Sequence, residues 1–120
     1  MRRIYDRPLR GVPKRTEYNG VVYDSKAEAD RAAVLDLLQR GGVIDGWEGQ
    51  VPIDIGDPGV DLPFKVDFVV TIRGRVHAED VCGIITRQKQ RRIKQWKKRG
   101  PFPLHIIRGK IVEVIEGGKS

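Results

Sequence analysis

Asp67 and Asp80 are the residues of this chain best placed to do chemistry, because each interrupts an otherwise apolar, alternating run. The two runs flank Arg73-Gly74, a short turn signal, so together they read as a β-hairpin. In the first run Phe64, Val66, Phe68, Val70 and Ile72 share one face, since side chains alternate along a strand, and Lys65, Asp67, Val69 and Thr71 take the other. In the second, Val76, Ala78, Asp80 and Cys82 share a face, opposite His77, Glu79 and Val81. If Asp67 and Asp80 point the same way, two carboxylates converge near one point. Such oxygen pairs, completed by water and a substrate phosphate, bind a hard divalent cation such as magnesium.

Other side chains compete for a role. Glu28 ends Ser25-Lys26-Ala27-Glu28, a capping-box pattern that opens a helix. It either closes that box or, lying along one side of the helix with Ala32 and Leu35, approaches the acidic pair. Cys82 with His77 or His105 suggests a thiol nucleophile, but no third member of such a triad is evident. His77 and Glu79 share a strand face away from Asp80 and read as surface or packing residues rather than metal ligands. Trp47 and Trp96 read as core or dimer contacts rather than base-stacking platforms. The glycines lie in turns, so a glycine-rich phosphate loop is not among the motifs.

The elements that must position these residues follow in order. Asn19-Gly20 between two short strand-like runs signals a first hairpin. A helix runs from the Ser25 cap to Gly41-Gly42. Gln50 to Ile55 is a strand whose Pro52 places it at a sheet edge or a bulge. Asp57-Pro58-Gly59 is a turn, and the acidic hairpin comes next. Arg87 to Arg99 holds eight basic residues in thirteen, with Ile85, Lys89, Ile93 and Trp96 forming a helical stripe. Gly100-Pro101 stops it; strands at Leu104–Ile107 and Ile111–Ile115 close the chain, and Gly117 to Ser120 read as a frayed tail.

Charge sorts along the same plan. The 120 residues carry a net +7. Residues 1–15 hold six basic and one acidic side chain, residues 16–82 six and thirteen, and residues 83–120 eleven and two. An acidic, metal-suited centre between basic ends fits a protein that grips a polyanion and acts on it. Residues 1–15 read as a basic flexible arm and residues 16–116 as a single domain. The lone cysteine excludes an internal disulfide and a cysteine-rich zinc site. No apolar run approaches the ~20 residues of a membrane span, and no apolar signal core follows Met1-Arg2-Arg3. A soluble, cytoplasmic protein is expected, without a membrane partner.

The order of elements and several short motifs resemble the PD-(D/E)XK nuclease superfamily. Ser25-Lys26-Ala27-Glu28-Ala29-Asp30-Arg31 resembles the first-helix motif of small phage-encoded members, Val66-Asp67-Phe68 the first metal-binding strand, and Glu79-Asp80-Val81-Cys82-Gly83 the second. Gln50 matches a glutamine often present on the preceding strand. The resemblance spans roughly residues 16 to 108. It implies an α/β fold with a restriction-endonuclease-like core, α-β-β-β-α-β, in which helices flank a central mixed sheet. It also implies phosphodiester hydrolysis dependent on Mg²⁺ or Mn²⁺. Asp67 and Asp80 would ligate the metal, with the Val81 carbonyl as a third ligand and Glu28 adding one directly or through water.

The superfamily places a lysine where this chain has Cys82, a residue that is mostly neutral near pH 7 and gives no fixed positive charge. Lys89 in the inward stripe of the basic helix is the leading substitute and Lys65 the second. The resemblance is nearest to Holliday-junction resolvases, which act in recombination as homodimers on four-way DNA. Arg2, Arg3, Arg87, Lys89, Arg91, Arg92 and Lys94 would then contact DNA, and the cytoplasm would be that of the host if the chain is phage-encoded. The alternative is a non-catalytic DNA-binding protein that retains the nuclease fold, with Cys82 as its support. An RNA-binding basic domain rests on charge alone and leaves the paired aspartates unexplained.

Overall fold

The computed structural model describes residues 15–55 and 64–119. Residues 1–14 of the basic arm, with Arg2 and Arg3, and the Asp57-Pro58-Gly59 turn lie outside the described residues. Asn19 and Gly20, both at positive φ (51° and 82°), join β1 (Thr16–Tyr18) and β2 (Val21–Tyr23) into the small hairpin. Helix α1 (Lys26–Arg40) begins where the Ser25 hydroxyl accepts a hydrogen bond from the Glu28 N–H.

The main sheet has five strands in the order β3 (Gly46–Ile53), β4 (Phe64–Ile72), β5 (Arg75–Val81), β6 (Leu104–Arg108) and β7 (Ile111–Ile115). All neighbours are antiparallel except β5 and β6. Those two are parallel and need a crossover, which α2 (Arg87–Arg99) supplies. The molecule is therefore an α/β fold with a mixed sheet and two helices. Strand β3 starts four residues before the expected Gln50 and takes in Trp47. It is an edge strand, which is where Pro52 costs no ladder hydrogen bond. No helix among the described residues is long and apolar enough to cross a membrane.

Two cores lie on opposite faces of the sheet. Ala29, Ala32 and Leu35 of α1 pack with Phe68 and Val70, while Trp96 and Ile93 of α2 pack with Phe64, Val66, Ala78, Leu104 and Ile106. The expectation that Phe64 through Ile72 keep one face is corrected here. Phe64 and Val66 face α2, whereas Phe68 and Val70 face α1. The switch falls at Asp67, where the pairing with β3 is interrupted opposite Gln50 and then resumes in the same register. Gln50 sits at φ 56°, a left-handed conformation that a glutamine seldom adopts.

Residues 117–119 of the expected frayed tail are docked. The Gly118 and Lys119 N–H groups donate to the carbonyls of Trp96 and Gly100. Gly118 lies so close to the α2 backbone that a side chain there would overlap it. The Trp96 indole in turn donates to the Phe102 carbonyl at 2.7 Å, which satisfies its buried N–H.

Candidate active site

The β4–β5 hairpin turns through Arg73 and Gly74, both at positive φ, and its ladder pairs Phe68 with Glu79. Continued by one residue, that register sets Asp67 opposite Asp80. There the side chains take over the hydrogen bonding. The Asp67 N–H donates to Asp80 Oδ1 at 3.0 Å, and the Val81 N–H donates to Asp67 Oδ2 at 2.8 Å. The two carboxylates thus meet where the strands begin to part, Asp80 being almost wholly buried.

Helix α2 brings the positive charge. Thr86 caps it by accepting from the Lys89 N–H, which closes the first turn of the helix. From that turn the Lys89 ammonium donates to Asp80 Oδ2 at 3.2 Å. Lys89 therefore turns toward Asp80 and lines the cleft, away from the exposed basic side of α2. A cleft of about 290 Å³ is lined by Asp67, Asp80, Lys89, Gln50, Lys65 and Arg92, among others. Lys65 is exposed and lines the cleft.

Glu28 lines an adjoining hollow with Val81, Cys82, Thr86 and Lys89. It is buried, and its Oε2 has no hydrogen-bond partner among the described residues. Its carboxylate accepts from the Asp24 backbone, so it serves the helix start and still approaches the acidic pair. Burial raises its pKa, the charges of Asp24 and Asp80 add to that, and Lys89 opposes it. Burial, then Asp80, then Glu28 push the Asp67 carboxyl up to about 7, against the Val81 N–H and Lys89. Mutual repulsion of three carboxylates, with one buried oxygen unsatisfied, is what a divalent cation relieves. The donor set is all oxygen, which suits magnesium or manganese.

Cys82 packs against the α2 core, and burial raises its thiol pKa, so it stays protonated near neutrality. The sheet separates it from His77 and His105, which removes the thiol-nucleophile reading. Arg92 is already engaged: it donates to the Lys65 carbonyl at 2.7 Å and lies 4.1 Å over the Phe64 ring, holding α2 to β4. Arg87, Arg91 and Lys94 are exposed and, with Gln90, line a shallow groove along the outer side of α2.

A second polar cluster went unrecognised in the sequence. Glu79, read above as a surface or packing residue, is 1% exposed. Arg31 of α1 grips it with two hydrogen bonds, at 2.7 and 2.8 Å, and His77 Nε2 lies 2.8 Å from its Oε2. Burial alone would raise the Glu79 carboxyl; the hydrogen bonds from His77 and Arg31 override it and bring it to about 2. The His77 and His105 rings stack with centroids 4.0 Å apart. Burial, then His77, lowers the pKa of His105.

Comparison of the chain with protein-family models, curated proteins and solved structures finds no match.

Proposed function

We propose that this chain is a metal-dependent DNA endonuclease of the PD-(D/E)XK type, with a restriction-endonuclease-like core. The observation that carries the reading is the Lys89 ammonium, 3.2 Å from Asp80 in the cleft that also holds Asp67 and Gln50. It supplies from α2 the positive charge that Cys82 does not supply from β5. Asp67 and Asp80 would hold Mg²⁺ or Mn²⁺, with Glu28 close enough to share in it. The Val81 N–H is spent on Asp67; its carbonyl is the remaining candidate ligand from that residue. A metal held there supplies an activated water and neutralises charge on the phosphate oxygens.

The protein's own groups do the rest. Asp80, fixed by the Asp67 N–H, keeps Lys89 beside the phosphate position, where its charge offsets the anionic transition state. Gln50, held at its unusual φ, presents a neutral amide to the same cleft. Arg87, Arg91 and Lys94 hold the DNA backbone from the outer side of α2. From the likeness to junction resolvases, the substrate is branched DNA and the working form a homodimer.

The test is incubation of labelled four-way junction, duplex and single-stranded DNA with Mg²⁺ or Mn²⁺, scored for binding and cleavage together. Metal-dependent cutting of the junction, lost in Asp67→Asn and Asp80→Asn, is the expected result. Binding without cutting under either metal would establish the non-catalytic alternative instead.

A further inference from the structure

We propose that His77, Glu79 and His105 form a second metal site, for a zinc-type divalent cation, on the sheet face opposite the Asp67–Asp80 cleft. The proposal is independent of the nuclease reading. His77 and Glu79 are two residues apart on β5 and so project from one face, while the parallel register sets His105 of β6 beside Glu79. One ligand atom from each of the three lies within 4.8 Å of the others. A tetrahedral ion with bonds of about 2.0–2.1 Å holds its ligand atoms roughly 3.4 Å apart, so binding requires the two imidazoles to turn out of their stacked arrangement. Two imidazoles and a carboxylate favour zinc or its neighbours over magnesium, which prefers oxygen. The two sites therefore differ in donor chemistry as well as in place.

The surroundings are those of a built site. Ligating carboxylates are commonly oriented by further hydrogen bonds, and Arg31 does this for Glu79 from α1. A carboxylate has about four acceptor positions; Arg31 takes two, which leaves one on each oxygen. The ion would take the place of the His77–Glu79 hydrogen bond. His77 and His105 also line a cleft of about 600 Å³ with Ile72, Arg75, Val76 and Pro103. That cleft gives an ion entry and leaves room for water as a fourth ligand. Because Glu79 and Asp80 are consecutive, an ion on one face of β5 fixes the strand that carries a cleft carboxylate on the other.

The experiment is titration of the metal-free full chain with Zn²⁺ in excess Mg²⁺, followed by NMR of the His77 and His105 imidazoles and by calorimetry. Both imidazole signals are expected to shift and to saturate at one equivalent. His77→Ala and His105→Ala should each weaken that binding at least about tenfold, while Asp67→Asn leaves it intact. The imidazole readout needs only the wild-type chain, so it decides the matter even where a variant fails to fold. Imidazole signals unmoved by zinc, or an affinity unchanged in both histidine variants, would overturn the proposal.

Discussion

Asp67 carries a pH signature that can be measured without any substrate. Burial and the neighbouring carboxylates push its carboxyl up to about 7 in the folded chain, against the ordinary 3.8 that it regains on unfolding. Between those values the native state holds a proton that the unfolded state has released. Stability of the metal-free protein should therefore fall as pH rises from about 4 to about 7. Below 7 a metal must displace that proton, so its apparent affinity should rise toward pH 7 and level off above. Calorimetric titration with Mg²⁺ across pH 5.5–8.5 checks this, and Asp67→Asn should flatten both profiles. Glu79 behaves in the opposite sense. Its pKa is lowered to about 2, so its stabilising contribution is complete above its ordinary value and is lost as pH falls through 2. Arg31→Met leaves that buried carboxylate short of its main partner and should cost about 3 kcal/mol by denaturant unfolding at pH 7.

At the scale of elements, the acidic hairpin was legible because a two-residue turn and strict alternation fix the β4–β5 register, which brings Asp67 and Asp80 together. Both helices were legible too, α2 to its observed ends, since caps and glycine stops are local signals. What alternation did not reveal is the change of face at Asp67. That change depends on the opposing Gln50 leaving the ladder, a pairing of distant residues. The Arg31–Glu79 pair was hidden for the same reason: 48 residues separate its members, and only packing of α1 on the sheet joins them. The strained Gln50 gives a test at this scale. Gln50→Gly relieves an unfavourable φ and should stabilise the fold by up to about 1 kcal/mol, while slowing cleavage because the amide leaves the cleft. Unfolding and cleavage measured on the same variant would show the two effects moving in opposite directions.

For the whole molecule, the acidic centre of the sequence and the basic stretch of α2 come to face one another across the cleft. Asp67 and Asp80 meet in the sheet, and α2 presents positive charge in two directions: Lys89 inward on Asp80, and Arg87, Arg91 and Lys94 outward. DNA held by the outer side should bind with a steep dependence on salt. Reversing the charge of Arg87, Arg91 and Lys94 together should weaken binding and make that dependence shallower, as read by fluorescence anisotropy at several salt concentrations.

The proposed catalysis depends on Lys89 supplying the positive charge that Cys82 does not. The most direct measurement is the single-turnover rate of four-way-junction cleavage under Mg²⁺ for the wild type, Lys89→Ala, and Lys89→Ala combined with Cys82→Lys, with junction binding recorded alongside. Loss of a fixed charge at the reacting phosphate is expected to slow Lys89→Ala by about 100-fold or more with binding retained, and the added lysine at position 82 should restore part of the rate. Cleavage by Lys89→Ala at the wild-type rate would contradict the account.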